Sequence, residues 1–200
     1  TANYWEYVGE QPTAWNAYVL GPTKPALYAV DPASSVLEPE VAGSAPVLPT
    51  WNRDGWRVRV DLGTDLSWSD GRHVTAADVV YTFETVRRLG LEGGWADAYP
   101  EEIEEVVAES PTRVRIEFSR RPGFGLWPHR VGLAPIMPAH VWAPETDGID
   151  SAAALYELDP EVDVSGGPLE IVEVTDSRIS TVANPGYPED GIPDVVYSIY

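Results

Sequence analysis

Residues 68–83 read WSDGRHVTAADVVYTF, and the way this stretch folds organises the chain on either side of it. Ser69-Asp70-Gly71 carries turn chemistry. Thr75 is an N-cap residue type, and Asp78 stands three positions on, so the pair reads as a capping box with Asp in place of Glu. Val74 and Val79 occupy the staple positions beside that cap. Val79, Phe83 and Val86 recur at i, i+4 and i+7, which puts them on one helical face. Arg87 and Arg88 complement the negative end of a helix, and Gly90 can end it. The spacing predicts a helix over 76–89.

Upstream, VLPTWNRDGWRVRVDL (47–62) reads as a hairpin turning at Asn52–Gly55, with Val58, Val60 and Leu62 on the buried face. Downstream, residues 90–100 combine three glycines with Trp95 and Tyr99 and read as a flexible aromatic loop. PEEIEEVVAE (100–109) stays open between helix and strand. Pro100 and the glutamates favour a helix, while the alternation of RVRIEF (113–118) favours a hairpin partner. NYWEYVGE (3–10) reads as a first strand. The prolines of 13–32 allow one short helical turn and extended pieces. Residues 120–144 read as short helical turns and loops, and Asp150 or Ser151 can cap a helix through about Leu158. A second hairpin is expected from 170–176 and 178–184, then a turn-rich loop over 185–194 and a final strand at 195–200. A strand running to the last residue reads as a chain cut in mid-fold. The start at Thr1 reads as a processed or trimmed chain. The fold class is α/β in the mixed α+β sense.

The chain has 200 residues and a formal net charge of −19, from 13 basic and 32 acidic side chains. That charge argues against nucleic acid as a partner and against docking on an anionic membrane. There is no cysteine, which excludes disulfides and thiolate chemistry. No apolar run is long enough to cross a membrane as a helix. His73, His129 and His140 show no metal-ligand spacing, so no metal or cofactor is expected. Neither a phosphate-binding glycine motif nor a G-x-S-x-G elbow occurs. Glu101, Glu102, Glu104 and Glu105 read as a solvated run rather than a catalytic pair.

Aromatic content is what remains: eight Trp and ten Tyr against three Phe. Such residues suit half-wet clefts for a small organic ligand or peptide, and they also pack loops. The candidate ligand contacts are Trp15, Asn16, Trp95, Tyr99, Trp127 and Arg130, the last as a receiver for a carboxylate.

Taken in order, the short motifs resemble the family 5 extracellular solute-binding proteins of ABC importers, the peptide- and nickel-binding group. EPEVAGSAPVLPTW (38–51) stands where that family shows P-x-L-A-x-S-W. LGTDLSWSDGRHVTAADVVYTFE (62–84) resembles its Trp-Ser-Asp-Gly to Thr-Ala-x-Asp-Val segment. IMPAHVW (136–142), SGGPLEIVE (165–173) and NPGYPEDGIPDVVYSIY (184–200) follow in the family's order. Gly63, Arg72-His73 and Leu169 depart from its pattern; with Leu169, any ligand role of the family's aromatic is lost.

The resemblance implies a non-enzymatic substrate-binding component that captures a peptide or similar solute outside the cell membrane. It would deliver that solute to a membrane permease. The location would be periplasmic or extracellular, with a lipid anchor as an option in a full-length protein. It further implies the first lobe of a type II periplasmic-binding-protein fold, with mixed sheets, peripheral helices and the second lobe missing. Residues 36–120 would form a smaller hairpin-and-helix subdomain, and 1–35 with 121–200 the main-sheet subdomain. Trp68, Asp70, Thr75 and Asp78 would be scaffold. The acidic group that holds a peptide's α-amino end belongs to the other lobe, so no glutamate here inherits that role. A single lobe should bind weakly and leave a sheet edge open to self-association. Two rivals stay open. One is a secreted carbohydrate-binding module or glycan-active enzyme; the other is a self-standing truncated homologue acting as an interaction protein.

Overall fold

The computed structural model describes residues 3–158, 163–189 and 191–198. The chain opens with helices α1 (Tyr4–Gly9) and α2 (Ala14–Val19), then strands β1 (Tyr28–Val30) and β2 (Leu37–Pro39). The first hairpin, β3 (Thr50–Asn52) and β4 (Gly55–Asp61), leads into α3 (Ala76–Leu89) and the short α4 (Gly94–Ala98). Strands β5 (Ile103–Ser110) and β6 (Arg113–Phe118) follow, then α5 (Ala139–Glu145) and α6 (Ala152–Tyr156). Strands β7 (Leu169–Val174), β8 (Arg178–Ala183) and β9 (Val195–Ser198) complete the described chain. Ile199 and Tyr200 of the expected last strand lie outside the described residues.

The strands form three antiparallel sheets, ordered β1-β2, β3-β4-β6-β5 and β7-β8-β9. In the four-stranded sheet Val58 faces Ile116 and Val60 faces Val114 across β4 and β6. All four are buried, as the period of two requires. Helix α3 lays Val79, Phe83 and Val86 on this sheet. Its start and stop match the sequence reading, and Gly90 closes it with φ 61°.

Two sequence expectations are corrected and one open choice is resolved. Residues 3–10 form α1 and not a strand. Asn3 caps the helix by accepting the Glu6 N–H at 3.0 Å, and burial of Tyr4 and Trp5 overrides their strand preference. The same amide donates to the carbonyls of Leu155, Tyr156 and Leu158, which ties the first helix to the end of α6. Residues 90–100 contain α4 and not an open loop. A Cβ on Gly93, where φ is 61°, would stand 1.8 Å from the Gly9 carbonyl. That glycine permits close approach of α4 to α1, which sequence reads as flexibility. Residues 103–110 form β5, resolving the open choice. Register shifts between Ile103 and Glu105, and between Ala108 and Ser110, break the alternation. Buried Ile103 and Val106 therefore fall three apart, a helix-like spacing.

Candidate solute-binding site

Four of the five motif segments that carry the sequence resemblance meet at one buried node around Trp68, which is fully enclosed. Ser69 N–H donates to the Ser165 carbonyl at 2.7 Å, and Asn184 Nδ2 donates to the carbonyls of Ser165 and Gly167. A Cβ on Gly186 would lie 2.3 Å from the Ser67 carbonyl, so only glycine fits there. His140 Nε2 lies 3.0 Å from Asp70 Oδ2, with its ring edge-on to Trp68.

Asp78 joins α3 to the node's other side. Its Oδ2 accepts from Thr75 N–H and hydroxyl at 2.8 and 3.0 Å, and its Oδ1 accepts the Ala139 N–H at 2.8 Å. Thr82, buried on the same helix, accepts the Met137 N–H at 2.9 Å. One capped helix thus holds the 136–142 segment in place. The turn, the tryptophan and the capped helix, close in sequence, together clamp three distant segments.

Lys24, the single lysine, forms a second buried anchor. Its ammonium donates to Asp163 Oδ2 and the Val164 carbonyl, each at 2.9 Å, and lies 5.3 Å from the Tyr4 ring centroid. Trp142 Nε1 donates to the other Asp163 oxygen at 3.3 Å. Nearby, Glu40 accepts the Ala26 N–H and the Tyr187 hydroxyl. Burial pushes its carboxyl above the ordinary range, against the downward pull of those two bonds.

A different surface carries exposed aromatic side chains. Helix α2 presents Trp15 (37 % exposed) and Tyr18 (68 % exposed) to solvent, while Val19 is buried beneath. Tyr197 of β9 meets the Trp15 ring edge-on at 6.0 Å, and its hydroxyl donates to the Tyr18 carbonyl at 2.7 Å. Asn16 is buried; its Nδ2 donates to the Gln11 carbonyl, and its N–H to the Thr13 hydroxyl. Asn16 therefore shapes the 10–13 loop beside the aromatic face.

The six sequence candidates do not converge. Trp15 and Asn16 share the α2 face. Trp95 is 0 % exposed, stacked 5.0 Å from Trp5 with its Nε1 donating to the Trp5 carbonyl. Trp127 is buried against Tyr28, its Nε1 donating to the Val47 carbonyl. Tyr99, buried against Phe83, and exposed Arg130 border a separate surface groove. Burial raises the Tyr99 phenol well above its usual range. Sequence reasoning missed Tyr18 and Tyr197. Tyr18 had a signal, since it stands three residues after Trp15 on one helical turn. Tyr197 had none, because its place depends on β9 pairing beside α2.

Among the described residues, no group of three or more His, Asp or Glu side chains is placed to hold a metal ion, and no helix is long and apolar enough to cross a membrane. The mixed α/β architecture is that of periplasmic binding proteins. The agropinic-acid complex of the binding protein AgaA from A. tumefaciens R10 superposes with a TM-score of 0.76 at 19 % identity, over 100 % of this chain and 38 % of that one. The oligopeptide-binding protein AppA from Bacillus subtilis, bound to a nonapeptide, gives 0.70 at 19 % identity, over 90 % and 34 %. The oligopeptide-binding protein from Thermus thermophilus, bound to a pentapeptide, gives 0.69 at 19 %, over 99 % and 38 %. The chain thus spans little more than a third of the length of these proteins. The family model for bacterial extracellular solute-binding proteins, family 5, matches residues 36–199, and the chain belongs to that family. No curated protein matches it.

Proposed function

We propose that the chain is one lobe of the substrate-binding component of an ABC importer. The complete protein captures a peptide or similar small solute outside the cell membrane and hands it to a permease. The observation that carries the reading is the family match over residues 36–199. The peptide complexes of two structural neighbours support the solute class. The α2–β9 face is the contact surface on this lobe: Trp15 and Tyr18 provide apolar area, and Tyr197 and Asn16 fix their positions. Residues 36–120 act as a subdomain bracing this lobe. One lobe covers a solute from one side only, so its own affinity is weak, and closure by a second lobe supplies the remaining buried area.

The test is thermal-shift screening of the protein against defined tri- to pentapeptides, an opine and a manno-oligosaccharide. A concentration-dependent rise with one class, weakened about tenfold by Trp15→Ala, is the expected result; that loss corresponds to about 1.4 kcal/mol. No rise with any probe, together with glycan hydrolysis abolished by one Glu substitution, would establish the enzymatic alternative instead. The β9 edge also carries a proposal of self-association, with Val196 exposed beside it. A strict monomer by light scattering at high concentration rules that out.

A further inference from the structure

The arginines of this acidic protein are not evenly spread. Two adjoining depressions, of about 620 and 260 Å³, share Pro100, Glu102 and Arg120 in their walls and so form one groove. Arg87 lines the first part, and Arg121 and Arg130 the second. Four of the chain's 13 basic residues therefore border this groove, against only two of its 32 acidic ones, Glu101 and Glu102. The local charge is opposite in sign to the −19 of the whole chain.

Two of the four guanidinium groups have a restraining partner. Arg120 donates to the Glu102 carboxylate through Nη2, which leaves its other N–H groups for a second acceptor. Arg121 lies 5.3 Å from the Trp56 ring centroid, a stacked arrangement that restricts its motion. Arg130 is exposed and makes no side-chain hydrogen bond or ion pair among the described residues. Its field still reaches Glu102. That carboxyl is held below its usual range by a backbone N–H, by Arg120 and, more weakly, by Arg130. Pro100, Leu126 and the edge of Tyr99 supply apolar wall between the charges. Planar donor forks, two restrained and one without a protein partner among the described residues, over an apolar floor suit an oxyanion with some carbon framework.

We infer that the groove formed by Arg120, Arg121, Arg130 and Arg87 is an anion-binding site, separate from the α2–β9 face, for a small molecule bearing two or more carboxylate or phosphate oxyanions. The inference does not depend on the identity of the transported solute. It follows from the placement of the arginines on α3 and on the 119–130 segment that leaves β6.

The experiment is an amide NMR titration of the protein with citrate in one arm and inorganic phosphate in the other, at ionic strength fixed with sodium chloride. Saturable shifts confined to Arg87 and to residues 96–102 and 119–130 are expected, and the stronger arm identifies the oxyanion type. Arg130→Gln should weaken that binding at least fivefold, and the Arg120→Gln/Arg130→Gln pair should abolish it. Both variants should keep the wild-type spectrum elsewhere, because neither side chain is buried. Trp15→Ala should leave the titration unchanged, which separates this site from solute capture. Shifts that chloride alone reproduces, or binding retained by the double variant, would overturn the inference.

Discussion

The node around Trp68 and the face of α2 are built on opposite terms. At the node, side chains are enclosed, backbone groups from four segments exchange hydrogen bonds, and glycine is required by contact. On the α2 face, Trp15 and Tyr18 stand in solvent and answer mainly to Tyr197. The node gathers most of the recognisable motifs; on the face, Trp15 and Tyr18 lie outside them and only Tyr197 falls within one. In this chain the motif residues Trp68, Asp78 and Asn184 hold the fold, whereas Trp15 and Tyr18 are not committed to the core. Under the proposed function, contact falls on the exposed aromatic pair and not on the motifs at the node.

The sharpest way to break the comparison is to empty the node. Trp68→Ala should cost about 3–5 kcal/mol of unfolding free energy, as for other large core deletions, read from a urea midpoint. A loss below about 1 kcal/mol would mean the node is not the scaffold. Lys24→Ala should cost somewhat less, about 2–3 kcal/mol, reduced from the usual figure for a broken buried pair because the Asp163 side chain is 38 % exposed. Lys24→Met should recover part of the loss by refilling the space around Tyr4. Asp78→Ala should cost about 1–2 kcal/mol, since it strips a helix cap and leaves the Ala139 N–H without its acceptor.

A pH measurement sharpens the same contrast at smaller scale. Burial raises the Glu40 carboxyl above its ordinary 4.5, so the native state holds that proton more tightly than the unfolded chain does. Its contribution is complete below about pH 4.5 and is lost as pH rises through the raised native value. Glu40→Gln should remove that decline, so the variant gains on the wild type as pH rises from 4.5 toward neutrality. Exposed Asp61 and Glu173, held low by hydrogen bonds from Arg113 and Arg178, act in the opposite sense, so the comparison is made between variant and wild type. A constant difference across that window would show that Glu40 titrates normally.

Much of the architecture was legible because local signals agreed with one another. The Thr75 cap, the apolar face of α3 and Gly90 fixed one helix at both ends, and the turn at Asn52–Gly55 fixed a hairpin. Reading failed where tertiary contact overrode local preference. The bulges of β5 hid a strand, the capped and buried α1 looked like one, and Gly93 concealed a close helix contact as a loop. The site was legible only in part. Trp15 could be named from composition, but the burial that separates it from Trp95 and Trp127 depends on long-range packing. Tyr197 reaches Trp15 across a sequence gap that no local pattern bridges.

The most direct test of this division is hydrogen–deuterium exchange of the protein with and without the screened solute that gives the largest thermal shift. Protection concentrated in residues 10–18 and 195–198, with the Trp68 node unchanged, is the predicted result. Protection at residues 66–78 and 165–168, with α2 unaffected, would contradict the account and move the binding surface to the motifs themselves.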